Sequence, residues 1–196
     1  PPQFIKITHA SNNYIYGNQP FSVVGNDNVG VAKTALYYST DPEAPLESWT
    51  LIDEHNGSSY SQNIDTTVMP NGVVYVVAKI YDAVGNFTYS PKQRYMCDNQ
   101  GPEQVKNVKC IAVDGTTATL SWSDVSDDDI SYFVVECKQS DGVWKSVSRT
   151  STNLGVNLSG LTPEHDYVYR VIGYDKRSNR GTPSEEITVT TLKDTI

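Results

Sequence analysis

Two stretches of this chain repeat one pattern, and the repeat limits what it can fold into. Residues 167–184 read Tyr-Val-Tyr-Arg-Val-Ile-Gly-Tyr-Asp-Lys-Arg-Ser-Asn-Arg-Gly-Thr-Pro-Ser, and residues 74–90 read Val-Tyr-Val-Val-Ala-Lys-Ile-Tyr-Asp-Ala-Val-Gly-Asn-Phe-Thr-Tyr-Ser. Each alternates apolar and polar side chains, as a half-buried strand requires, and then breaks into turn-forming residues. Placing Asp82 on Asp175 sets an offset of 93 residues, about the size of one small β-sandwich. The expectation is therefore two similar all-β modules in tandem. No segment of helical length carries a 3.6-residue apolar period, and short strands with frequent turn signals argue for sandwiches.

A length of 196 residues accommodates two such modules, each with a lean core. The chain has 13 Tyr and only 4 Phe, and tyrosine suits strands whose rings pack while their hydroxyls reach water. The net charge of −8 argues against nucleic-acid binding, which needs clustered Lys and Arg to neutralise phosphates. It disfavours anionic membrane surfaces for the same reason. No apolar run is long enough for a transmembrane helix, and no signal peptide is visible. The chain opens on Pro1-Pro2-Gln3 and enters a strand-like run at once, which reads as a piece of a longer polypeptide. The three cysteines, Cys97, Cys110 and Cys137, fit no disulfide framework and read as thiols, with Cys110 as a small buried hydrophobe.

In chain order, the first module spans residues 1–97. Strands are expected at Phe4, Ile5 and Ile7, at residues 21–24, 31–39, 49–52, 62–68 and 73–81, and across 87–96, where Pro91 marks an edge or bulge. Turns are expected at Asn12-Asn13, Gly17-Asn18, residues 25–28, 55–59, Pro70-Asn71-Gly72 and residues 82–86. Residues 98–102 read as a short linker ending in Gly-Pro, which limits motion between the modules. The second module spans residues 103–196. Its first strand is marked by Val105, Val108 and Cys110. Ala118, Leu120 and Trp122 share a face, as do Ile130, Tyr132 and Val134. Later strands carry residues 143–148, Val156 with Leu158, Tyr167 with Tyr169 and Val171, and Ile187 with Val189.

Trp122, Tyr132 and the run Leu161-Thr162-Pro163-Glu164-His165-Asp166-Tyr167 carry a resemblance to the fibronectin type III family across the second module. The resemblance implies that Leu161 plugs the bottom of the core and that Tyr167 forms a tyrosine corner, its hydroxyl bonding backbone upstream. The first module resembles a bacterial immunoglobulin-like or divergent fibronectin-like repeat, through Asn28-Val29-Gly30-Val31, Pro70-Asn71-Gly72, residues 82–86 and residues 97–102. Val74 stands where the second module has Tyr167, so the corner is missing there. Together these imply an all-β chain of two tandem immunoglobulin-like/fibronectin type III-like antiparallel β-sandwiches. Such modules belong to large secreted or cell-surface bacterial proteins, among them polysaccharide-degrading enzymes and adhesins.

Catalytic constellations are absent from the sequence. There is no nucleophile elbow, the histidines His9, His55 and His165 lack metal-ligand spacing, and no phosphate-binding loop appears. Two acidic loop clusters are calcium candidates: Asp27 and Asn28 with Asp82 in the first module, and Asp127 and Asp128 with Asp175 in the second. Turn chemistry explains Asp and Asn at these positions better, and no cofactor is expected. Trp49, Trp144, Tyr14 and Tyr16 are candidate aromatic platforms for sugar rings, although packing over the sandwich edges accounts better for Trp49 and Trp144.

The chain therefore reads as a non-catalytic spacer or presentation segment of an extracellular or cell-surface protein. Its partners are neighbouring domains of the same polypeptide. The alternative is a binding module, either adhering to a host protein or serving as the carbohydrate-binding accessory of a polysaccharide-degrading enzyme.

Overall fold

The computed structural model describes residues 1–9 and 13–194, with only the backbone of Ile5. The expected turn residue Asn12 and the Ile5 side chain lie outside the described residues. The chain divides into two compact units, Pro1–Asn99 and Gln100–Ile196. Both are all-β, and the described residues contain no α-helix.

Unit 1 runs through β1 (Gln3–His9), β2 (Tyr14–Ile15), β3 (Asn18–Asn26), β4 (Val31–Ser39), β5 (Thr50–Asn56), β6 (Tyr60–Asp65), β7 (Gly72–Asp82), β8 (Phe87–Tyr89) and β9 (Gln93–Cys97). One sheet has the order β1-β3-β6, and the other β2-β9-β7-β4-β5 with β8 also paired to β7. All pairings are antiparallel except β2 with β9. The two-residue period of β7 sends Val74, Val76, Ala78 and Ile80 into the core, against Phe21, Leu36, Tyr60 and Ile64. Tyr60 ties the sheets together, its hydroxyl donating to Asp53 Oδ2 at 2.7 Å.

Three expectations for unit 1 are corrected. β5 continues through His55 to Asn56, because those residues find ladder partners in Lys33 and Thr34. The turn follows at Gly57, whose φ of +125° favours glycine. β6 stops at Asp65, and residues Thr66–Val68 form a 3-10 turn in which Asp65 Oδ1 accepts the Thr67 N–H at 3.0 Å. Residues 87–96 are two strands, since Pro91 between them offers no ladder donor.

Unit 2 runs through β10 (Lys109–Val113), β11 (Thr117–Ser121), β12 (Ile130–Lys138), β13 (Trp144–Thr150), β14 (Gly155–Ser159), β15 (Asp166–Asp175) and β16 (Ile187–Thr190). The sheets are β10-β11-β14 and β13-β12-β15-β16, both antiparallel. Ala118, Leu120, Trp122, Phe133, Val135, Tyr169, Val171 and Val189 fill the core. Its first strand begins later than expected. Val105 is buried ahead of β10, and Asn107 at φ +56° interrupts the extended backbone. The expected shared face of Ile130, Tyr132 and Val134 is also corrected. A register shift between Ile130 and Tyr132 leaves Ile130 on the core, while Tyr132 turns outward to stack on Tyr174.

Gly101, near the start of this unit, serves packing. A Cβ on Gly101 would overlap the Arg180 carbonyl, and Thr182 N–H bonds the Pro102 carbonyl at 3.2 Å.

Candidate functional site

The repeated stretch ends in the same device in both units. Asp82 Oδ1 accepts the N–H groups of Val84 at 3.0 Å and Asn86 at 2.9 Å, and its Oδ2 accepts Asn86 Nδ2–H at 2.7 Å. Asp175 Oδ1 accepts the N–H groups of Arg177 and Asn179, each at 2.8 Å, and its Oδ2 accepts Asn179 Nδ2–H at 2.8 Å. Both aspartates are buried. Burial alone would raise the Asp82 carboxyl, but hydrogen bonds from Asn86 and Val84 outweigh it and hold its pKa below the usual range. Thirteen residues apart in unit 2 and twelve in unit 1, a second clamp recurs. Val171 N–H donates to Ser184 Oγ and Ala78 N–H to Ser90 Oγ, both at 2.9 Å. The sequence echo is thus a loop-closing arrangement in which each aspartate binds the backbone and the asparagine side chain of its own loop.

The remaining calcium candidates lie beside these loops. In unit 1, Asp27 Oδ1 accepts the Val29 N–H at 2.9 Å, and Oδ2 faces the Pro1 ammonium at 3.9 Å. Asn28 is exposed on the same turn. Val31, just past that turn, pairs with Asp82, so the two loops share one end of the unit. In unit 2, Asp127 Oδ1 accepts the Asp129 N–H at 3.3 Å, and Asp128 is exposed. Cations of the Asp175 loop reach this acidic loop: Arg177 Nη1 pairs with Asp129 Oδ2 at 2.7 Å, and Lys176 Nζ donates to the Asp128 carbonyl at 3.4 Å.

The tyrosine corner is present. Tyr167 Oη accepts the Thr162 N–H at 2.9 Å, and Leu161 packs on the core. Unit 1 closes the corresponding region differently. Buried Thr66 donates its hydroxyl to the Gly17 carbonyl at 2.9 Å, and Asn99 accepts the Gly17 N–H at 2.6 Å while donating to the Thr66 carbonyl at 3.1 Å.

The nucleophilic groups are placed for packing. Cys97 and Cys137 are buried free thiols, and desolvation pushes both pKa values up, away from the reactive thiolate. Cys110 differs from its expected burial: it sits half-buried on an edge strand, where only one side meets the core. His9 lies against Phe21 and Tyr95, His165 against Tyr167, and His55 is exposed on β5.

Trp49 and Trp144 are covered, as packing over the sandwich edges requires. Trp49 is 5% exposed, and its indole N–H donates to the Ala44 carbonyl at 3.1 Å. Trp144 is capped by the Arg170 guanidinium, 4.0 Å from its ring centre. Arg170 is held in turn by Glu136 at 2.6 Å, which Arg180 also reaches at 3.2 Å. Tyr16 is half-buried and Tyr14 is 40% exposed.

An aromatic cluster with a lysine over its rings lies elsewhere. On the outer side of the six-stranded sheet of unit 1, Lys79 sits 3.8 Å from the ring centre of Phe87, 5.0 Å from Tyr81 and 5.1 Å from Tyr89. Lys33 lies 4.6 Å over Tyr81. Burial would lower the Lys79 pKa, but polar contact with the hydroxyls of Tyr81 and Tyr89 outweighs it and raises the value. Burial, followed by a hydrogen bond with Tyr81, raises Tyr37. The signal lies in the alternation of Lys79 and Tyr81 on β7 with Phe87 and Tyr89 on β8, whose outward positions are aromatic or basic.

Residues 103–190 match the family model described as Fibronectin type III domain. No curated protein matches the chain. Among solved structures, the chain is similar to the FN1-FN3 domains of chicken CNTN1, with a TM-score of 0.57 and 14% identity over 98% of this chain and 69% of that one. It is similar to a set of domains from titin, with a TM-score of 0.53 and 16% identity over 97% of this chain and 68% of that one. The fibronectin(III)-like modules of Clostridium thermocellum CbhA align with a TM-score of 0.50 and 15% identity over 96% of this chain and 95% of theirs. These likenesses establish the β-sandwich fold. Among the described residues, no helix is long and apolar enough to cross a membrane.

Proposed function

We propose that this chain is a non-catalytic spacer or presentation segment of a larger secreted or cell-surface protein, its domains being an immunoglobulin-like sandwich over residues 1–97, a linker over 98–102 and a fibronectin type III domain over 103–196. The observation that carries this reading is the shared fate of the acidic side chains. Asp82 and Asp175 bind their own loops through both oxygens, leaving no carboxylate poised as a general base there. The buried thiols favour the protonated form as well. The similar segments of CNTN1 and titin are themselves runs of consecutive domains, and this chain fills the same kind of place beside neighbouring domains of its own polypeptide. A bacterial source is part of the same reading, supported by the likeness to the modules of CbhA.

The test is replacement. Exchanging this segment in its parent protein for an unrelated pair of β-sandwiches should preserve the parent's activity, and the isolated chain should turn over no ester, glycoside or peptide. Loss of the parent's activity on exchange, or turnover that survives repurification, would refute the spacer role. Calcium is tested separately: equal melting temperatures in excess Ca²⁺ and in chelator leave Asp27, Asn28, Asp82, Asp127, Asp128 and Asp175 as turn residues, and a rise with Ca²⁺ makes them ligands.

A further inference from the structure

The paired loops that close the two units are built alike but balance their charges differently. In unit 2 the runs are Asp127-Asp128-Asp129 and Asp175-Lys176-Arg177. The second supplies cations to the first, with Arg177 Nη1 at 2.7 Å from Asp129 Oδ2 and Lys176 Nζ at 3.4 Å from the Asp128 carbonyl. In unit 1 the matching runs are Asp27-Asn28-Val29 and Asp82-Ala83-Val84, and neither contains a basic residue. The turns themselves are the same: the N–H groups of Val29 and Val84 donate to Oδ1 of Asp27 and Asp82 at 2.9 and 3.0 Å.

Asp82 uses both of its oxygens within its loop. Asp27 does not. Its side chain is 0% exposed, yet among the described residues its Oδ2 has no hydrogen-bond partner. A carboxylate oxygen taken out of water in this way is costly unless a positive group covers it. The Pro1 ammonium faces it at 3.9 Å, which is too long for a hydrogen bond. The Pro1 side chain is 88% exposed, so water screens that pair. Around the carboxylate, Pro1, Gln3, Asn26 and Asn28 line a cleft of about 410 Å³, with Gln3 and Asn26 opposite each other on β1 and β3. Its side chains offer oxygen and no thiolate or imidazole, which selects a hard cation. Amide oxygens on exposed side chains suit the irregular shell of calcium better than the strict octahedron of magnesium.

We infer that the cleft beside the β3–β4 turn binds a calcium ion, with Asp27 Oδ2 as its charged ligand and the amide oxygens of Gln3, Asn26 and Asn28 beside it. The Pro1 ammonium occupies the place of the ion and competes with it. A single carboxylate among neutral oxygens makes a weak site, with a Kd of about 0.1–1 mM. The net charge of −8 favours a cation over the whole surface. The acidic turn of unit 2 takes no ion, because Arg177 and Lys176 already answer it. The spacer role does not depend on this site, since a chain that binds no calcium still separates its neighbours.

The experiment is titration calorimetry of the whole chain with CaCl₂ and with MgCl₂ at neutral pH and low salt, with near-UV circular dichroism confirming the fold of each variant. Saturable binding of one Ca²⁺ is expected, weakened about tenfold or more by Asp27→Asn. That variant keeps the turn, because its amide oxygen can still accept the Val29 N–H. Asn28→Ala, at an exposed position, should weaken binding severalfold, and Asp127→Asn should leave it unchanged. Extending the chain before Pro1 turns the ammonium into an amide and should tighten binding. Absence of saturable Ca²⁺ binding up to about 10 mM overturns the assignment and leaves Asp27 Oδ2 to a buried water. Undiminished binding by folded Asp27→Asn and by Asn28→Ala, or loss of binding in Asp127→Asn, overturns it by moving the ion elsewhere. Equal affinity for Mg²⁺, or an affinity indifferent to the extension before Pro1, overturns it as well.

Discussion

The hydroxyl of Tyr167 accepts the backbone N–H of Thr162, five positions upstream, at 2.9 Å. This bond fixes the entry of β15 into the sheet and holds the ring against the core. Tyr167→Phe keeps the ring and removes the acceptor. Because Thr162 is exposed, water takes over its N–H, and the loss should be about 1 kcal/mol. Urea unfolding at neutral pH measures it, and an unchanged midpoint would show that the corner contributes nothing.

The Asp82 carboxyl has a pKa depressed below that of the unfolded chain, because loop donors favour its charged form despite burial. A depressed carboxyl adds stability that is complete above the unfolded value of about 4 and is lost as pH falls through the lower, folded value. Asp114 and Asp65, held down by bonds from Thr116 and Thr117 and from Thr67, act in the same sense. The unfolding midpoint should therefore be flat from neutral pH to about pH 5 and decline below about pH 4. Asp82→Asn should make that decline shallower, as followed by urea titrations at stepped pH.

Gly85 and Ser178 occupy the same place in the repeated loop, at φ +89° and +64°. A left-handed backbone costs a side-chain-bearing residue roughly 1 kcal/mol, which glycine escapes at some expense in unfolded entropy. Ser178→Gly should thus stabilise unit 2 by a few tenths of a kcal/mol, and Gly85→Ala should destabilise unit 1 by roughly 1 kcal/mol. Opposite signs in thermal unfolding are the expected result.

Glu136 is mostly buried between Arg170 and Arg180, and Arg170 in turn covers Trp144. Glu136→Gln keeps the volume but leaves a partly buried guanidinium without its charge partner, at a cost of roughly 1–3 kcal/mol. The Trp144 fluorescence should shift to the red as Arg170 loosens. A stable variant with an unshifted spectrum would count against the ladder's contribution.

Much of the architecture is legible from residue periodicity alone. The alternation of residues 167–171 and 74–80, the Asp-to-Asn loops that follow, and the Leu161-to-Tyr167 spacing are local patterns, and local backbone physics reads them directly. What escaped depended on partners distant in sequence. His55 and Asn56 look like a turn until β4 supplies their ladder bonds. Tyr132 looks like a core residue until the register shift beside Ile130 turns it outward. The edge packing expected of Trp49 and Trp144 is given its partners, Ala44 and Arg170, only by the fold.

The sequence by itself determined that this is an all-β chain with a 93-residue repeat, because strand period and turn chemistry act over a few neighbouring residues. The tertiary structure alone decided which polar groups are consumed and which are presented. Asp82 and Asp175 are turned inward onto their loops, whereas Lys79 is set among three rings on an outer face. That division follows from sheet register. It places residues from separate strands side by side, and no stretch of sequence carries it alone.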